Sequence, residues 1–191
     1  MRMISRYSLV FLVALAALGC NDDDNGNGPS GTLTIRMQDT PFSDAQAVLV
    51  TFSEVSAHKS GEGGFTRLPF SPESASRTCD LKKLVGATDV LGTGALSTGH
   101  YTQLRLMITS ANLYFDEAAA GPACAPTITA PAGRSAPIEV PSGEVKLNQE
   151  FDVNGSNVTT ITLDFDGDQS IREAGNGQFR LQPVITVVSV Q

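Results

Sequence analysis

The chain contains no tryptophan and three tyrosines, one of them at position 7, so it is poor in the aromatic platforms that stack on sugars. Its only histidines are His58 and His100, and no His-x-x-x-His or Cys-x-x-Cys pair offers zinc-ligand spacing. There is no Gly-x-Ser-x-Gly elbow, no glycine-rich phosphate loop and no histidine-based nucleophile motif. No catalytic residue is therefore assigned. A carboxylate pair stays open, because its spacing is a property of the fold. Positive charge is also scarce, at 13 Lys and Arg against 20 Asp and Glu, which argues against binding a phosphate backbone. A long amphipathic helical pattern and an internal repeat are both missing.

What is present starts with a leader. Arg2 and Arg6 precede an apolar run from Leu9 to Leu18, too short to cross a bilayer as a mature helix. The run ends Ala17-Leu18-Gly19-Cys20, which is similar to a bacterial lipobox; the alternative is an ordinary secretory signal with an incidental cysteine. On the lipobox reading, residues 1–19 are removed and Cys20 is acylated, giving more than the two acyl signals that stable anchoring needs. Asn21 to Gly31 has no apolar residue and reads as a flexible tether, so the segments expected are a signal at 1–19, a lipidated tether at 20–31 and one domain at 32–191. Asn21, where an Asp is associated with inner-membrane retention, favours the outer membrane or the cell surface. Loss of Arg2 and Arg6 leaves 11 basic and 20 acidic residues, a net charge of −9.

With Cys20 used, Cys79 and Cys124 remain. Two thiols in an oxidising compartment are expected to pair. Closing a loop of about 46 residues contributes roughly 4 kcal/mol in the chain-entropy model.

Period-2 alternation dominates the rest. Leu33, Ile35 and Met37 mark one strand, and Val48, Val50 and Phe52 a second whose parity shifts near Glu54 towards Val55 and Ala57. Phe65 to Phe70 reads as a short return strand after a Gly-rich loop. Asp80 to Gly86 reads as one capped helical turn with Leu81 and Val85 as its apolar pair. A turn at Ser97 to Gly99 then delivers Tyr101 onto the longest run, where Leu104, Leu106 and Ile108 alternate with polar neighbours. Parity changes at Ser110, and Ala111, Leu113 and Phe115 continue the apolar face, as a bulge produces. The excursion from Glu117 to Ala136 is long for a compact domain, which predicts a short strand at Thr127 to Thr129. Ile138 and Val140 suggest an edge piece. Val145 to Val153 and Val158 to Phe165 are two further strands, Phe179 and Leu181 another, and Val184 to Val190 a buried last strand. The pattern predicts an all-β, two-sheet antiparallel sandwich of about seven to nine strands. Leu104, Leu106, Ile108, Leu147, Ile161, Leu163 and Ile185 should share one core.

Several short motifs occur in a fixed order: Gly31 to Met37 followed by Asp39-Thr40-Pro41, His58 to Gly61, Cys79-Asp80-Leu81, Gly99-His100-Tyr101, Val145 to Asn148, Leu163 to Asp166, and Arg180 to Pro183. Together they resemble the bacterial and archaeal family called domain of unknown function 4382 over about residues 31–188. The resemblance implies a lipoprotein or secreted protein and brings no activity with it. The turn at Gly99 to Tyr101 also resembles prealbumin-like and carboxypeptidase-regulatory-like β modules, an analogy of fold alone.

The sharpest chemical feature is Asp164-Phe165-Asp166-Gly167-Asp168, three carboxylates in five residues that suit Ca²⁺, with Glu173 as a possible helper. An EF-hand does not fit, since its sixth and twelfth positions hold Gln169 and Gly175. The plainer reading is a solvated acidic turn with Asp166 as its cap. Beyond that turn, no cofactor is expected. Tyr101 is expected as a corner tyrosine with a packed ring and a hydroxyl bound to backbone. The partners anticipated are the membrane, through the lipid, and an envelope protein or glycan. The function anticipated is a non-enzymatic interaction or structural module, with a small-ligand binder as the alternative and a hydrolase third.

Overall fold

The computed structural model describes residues 28–40 and 42–191. The leader, Cys20 and the tether before residue 28 lie outside the described residues. Nearly all the rest is strand. In chain order the strands are β1 (Ser30–Thr40), β2 (Ala47–Lys59), β3 (Phe65–Leu68), β4 (Arg77–Asp80), β5 (Asp89–Ser97), β6 (Gly99–Tyr114), β7 (Cys124–Ala125), β8 (Ser135–Glu139), β9 (Glu144–Val153), β10 (Val158–Asp166), β11 (Ile171–Gly175), β12 (Gln178–Leu181) and β13 (Ile185–Val190). A 3-10 turn at Leu81–Leu84 and the single turn α1 (Gly167–Ser170) interrupt them.

The strands form two sheets facing one core. The smaller has the order β13-β10-β1-β5; the larger runs β11-β12-β8-β6-β2-β4-β7, with β3 beside β2 and β9 beside β6. The fold is the sandwich-like all-β architecture expected, but two details differ from the expectation. The described residues hold thirteen strands rather than seven to nine, the added ones being short. The sheets are not purely antiparallel, since β1 runs parallel to β10 and β8 to β12.

The long strands behave as their alternation dictates. On β1 every second side chain, Leu33, Ile35 and Met37, is fully buried, and on β10 Ile161, Leu163 and Phe165 answer them. Six of the seven core residues expected are buried, and Leu147 packs against the cluster half-buried. The two parity shifts on β2 and β6 are one event. Thr51 pairs with Ser110, Phe52 with Ile108 and Glu54 with Met107, so Ser53 and Thr109 are each an extra residue at the same level of the sheet. Both strands bend there, and both exchange outer neighbours: β4 gives way to β3 beside β2, and β8 to β9 beside β6. Gly143 lies on the bend and accepts a hydrogen bond from Ile108 N at 2.7 Å; a Cβ on Gly143 would stand 2.1 Å from Ile108 O, so only glycine fits.

Four local expectations are corrected. The strand in the excursion is Cys124–Ala125, not Thr127 to Thr129, because the disulfide partner draws that segment beside β4. The piece at Ile138 is no edge, since β8 lies between β6 and β12. The last strand is not buried but is the outer strand of the smaller sheet. In the helical turn Leu84, not Val85, joins Leu81 inside, because the tighter 3-10 winding brings i and i+3 onto one face.

Candidate functional site

Strand β1 carries its inward face one step past Met37, to Asp39, which is 5% exposed. A carboxyl so placed loses water and needs partners. Its Oδ1 accepts from Gly167 N at 3.2 Å, while Oδ2 is buried without one. The parallel register with β10 sets Gln38 beside Asp164 and Thr40 beside Asp166, flanking Asp39 with two further acids. Burial first, then the charges of Asp164 and Asp166, push the Asp39 pKa up to about 8 against the opposing Gly167 N–H and Lys82.

The 3-10 turn completes this corner. Its cap Asp80 is fully buried and accepts from Val48 N at 3.1 Å and Lys82 N at 3.2 Å through Oδ1, leaving Oδ2 unpartnered. Burial raises its pKa too, against those two N–H groups and the charges of Lys83 and Lys82. Lys82 reaches across to donate to Phe42 O at 2.8 Å. The corner thus holds two buried carboxyls, Asp39 and Asp80, whose pKa values burial raises, with Lys82 acting on both.

The sequence-predicted acids are not brought together. Asp164 accepts from Thr40 Oγ1 at 3.0 Å and Gln38 Nε2 at 3.4 Å on the outer face. Asp166 caps α1, accepting from Gln169 N at 2.9 Å, and Asp168 stands exposed in that turn. Glu173 is exposed on β11. Among the described residues, no three His, Cys, Asp or Glu side chains converge well enough to hold a metal ion.

Other singled-out residues serve the scaffold. Tyr101 is the corner tyrosine: its ring stacks on Phe151 at 5.2 Å and its hydroxyl donates to Ser97 O at 2.9 Å. His58 hydrogen-bonds Thr102 Oγ1 at 3.1 Å and Glu62 O at 2.9 Å. His100 meets Asp152 at 2.9 Å beside a shallow hollow bordered by Pro29, Thr98 and Asn154. Cys79 and Cys124 are bonded, facing each other across β4 and β7 with Cα atoms 4.1 Å apart.

Three features escaped the sequence reading. Arg77 is buried beside the disulfide, donating to Cys124 O at 3.2 Å and lying 3.5 Å from Asp89 Oδ1; its Nε and Nη1 have no partner. Burial works against its charge and lowers its pKa, and Asp89 supports it. Arg105 lies 4.2 Å from the Phe65 ring centroid and 2.5 Å from Glu54 Oε1. A groove of about 350 Å³ is lined by β8 and the β11–β12 hairpin, with Ile138 and Phe179 among its residues. Asp39 was missed as well, although the alternation of β1 carried one step past Met37 would have pointed it inward; Arg77 was legible only once Cys79 was known to face the core.

The family described as a domain of unknown function (DUF4382) matches residues 30–183. The chain belongs to that family. The match covers both sheets, from the first residue of β1 to the link before β13, and takes in the acidic corner and the disulfide. No curated protein and no solved structure matches the chain. The DUF4382 domain thus brings no assigned chemistry to the corner around Asp39.

Proposed function

We propose that this DUF4382 protein is a lipid-anchored module of the bacterial envelope that acts by interaction or as structure, without catalysis. The observation that carries the reading is the join between tether and fold. Ser30 opens β1 at once, and Thr98 N donates to Pro29 O at 2.8 Å, so the sandwich begins where the polar tether expected from Cys20 ends. An acylated Cys20 would hold such a domain on a short leash at the outer membrane or cell surface, within reach of an envelope protein or glycan. Replacing Cys20 with Ala should move the protein from the detergent-rich to the aqueous phase in detergent partitioning; retention of the variant would defeat the anchor. Pull-down from native envelope with the anchored protein as bait would identify the partner.

The groove at Ile138 and Phe179 favours a second reading, a small ligand with an apolar face such as a glycan, because its size falls in the range of ligand sites. Phe179→Ala should then abolish binding on a glycan array while leaving the melting temperature nearly unchanged.

A further inference from the structure

Every sheet has edges, and an exposed edge invites pairing with another chain. Among the described residues, all edges but one are covered, charged or very short. The free side of β5 is covered, with Thr93 N donating to Pro69 O at 3.0 Å and Phe70 bridged to Gly92. On β9 the exposed side chains include Glu144, Lys146, Glu150 and Asp152. Strand β11 carries Arg172 and Glu173, β3 carries Arg67, and β7 is two residues long.

Strand β13 is neither covered, charged nor short; its one irregularity is an extra residue, Val188, in its register with β10. Ile185 to Gln191 contains no charged side chain, no proline and no glycine, and is rich in β-branched residues. Val188 is 54% exposed and Val190 41%, while Val158, on the neighbouring β10, is 62% exposed. These are three of the four large apolar side chains so exposed among the described residues.

We propose that β13 is a self-association edge, pairing antiparallel with β13 of a second copy about a two-fold axis. Three observations favour that occupant. Antiparallel pairing of one strand with itself is closed and self-complementary, so it stops at the dimer. The chain carries a net charge of −7, which repels a second copy over most approaches, and the uncharged β13 is where two acidic chains meet without opposing like charges. The chain's own tether offers no apolar side chain from Asn21 to Gly31 with which to cover the valines. The dimer names a partner for the interaction reading above. It rests on that reading only for its setting, since the edge can be read whether or not Cys20 holds the membrane.

The test uses the full chain. Val188→Cys, oxidised in membranes, should give a disulfide-linked species of twice the chain's mass; Lys146→Cys on β9 should not. In detergent, the wild-type chain should sediment as a dimer, Val188→Thr should remain one, and Val188→Lys should shift to monomer with an unchanged melting temperature. A monomeric wild type, a dimeric Val188→Lys, or a Val188→Cys protein linked to nothing or to a different protein would overturn the proposal.

Discussion

Arg77 on β4 and Asp39 on β1 are both inward-facing residues with almost no exposed surface, yet the fold handles the two in opposite ways. Arg77 keeps its charge company, with Asp89 at 3.5 Å and the carbonyl of a disulfide-bonded cysteine at 3.2 Å. Asp39 has one backbone N–H and two acids for neighbours, and responds by holding a proton. A guanidinium cannot shed its charge at ordinary pH and must be given a partner, whereas a carboxyl can be neutralised where it stands. The Arg77 corner should therefore depend on covalent and ionic partners, and the Asp39 corner on pH.

The largest effect should come from cutting the bond beside Arg77. Replacing Cys79 and Cys124 together with Ser should cost about 4 kcal/mol, the chain-entropy value for this loop, read by urea unfolding against the wild type. A loss well under half of that would mean that the neighbouring strands hold β7 without the bond.

Asp39 tests the other side of the comparison. Its carboxyl keeps a proton in the folded chain up to about pH 8, while an unperturbed carboxyl releases it near 3.8. Between those values folding takes up a proton, so the stability linked to Asp39 falls as pH rises, by roughly 1.4 kcal/mol per pH unit at the limit. Asp39→Asn has no proton to hold. The variant should gain on the wild type steadily from pH 5 to pH 7.5 in parallel urea melts. Identical pH slopes in the two proteins would show that Asp39 titrates normally.

A smaller loss, about 1–2 kcal/mol, should follow Asp89→Asn, which leaves Arg77 without its carboxylate. The effect is limited because the Asp89 side chain is 29% exposed and its charge is partly screened. Unlike the Asp39 variant, this one should become more destabilised relative to the wild type as salt is lowered; no salt dependence would break the contrast between the corners.

The smallest effect concerns calcium. Because Asp164 and Asp166 already accept hydrogen bonds and Asp168 stands apart from them in α1, Ca²⁺ should raise the melting temperature no more than NaCl of matched ionic strength. A Ca²⁺-specific rise that vanished in Asp166→Asn would reinstate the acidic turn as a cation site.

Much of this was readable before any coordinates. Alternation found β1, β2, β6, β9 and β10, since apolar residues recur at every second position in each, and the shared bulge showed as two parity changes; that Ala47 and Leu49 on the other face of β2 are buried too did not show. Strand β5 was not read, because Gly92 and Gly94 erase its pattern. Those glycines are there because Pro69 crosses close above: a Cβ on Gly94 would stand 2.7 Å from the Pro69 ring. The hairpin of β11 and β12 was half read for a related reason, as the β11 side chains after Ile171 are all exposed and leave no apolar face to detect.

By itself the sequence determined that the domain is a β-sandwich and which side of each long strand carries its apolar residues, because these follow from a local period of two; its ordered motifs carried the resemblance to the DUF4382 family. The tertiary structure alone decided that β1 lies parallel to β10, that Asp164 and Asp166 therefore flank Asp39, that Arg77 and Asp89 meet beside the disulfide, and that β13 is left at an uncharged edge. Each of those depends on which strands become neighbours. That choice is made by long-range packing between segments up to about 130 residues apart, such as Asp39 and Gly167, and no local pattern encodes it.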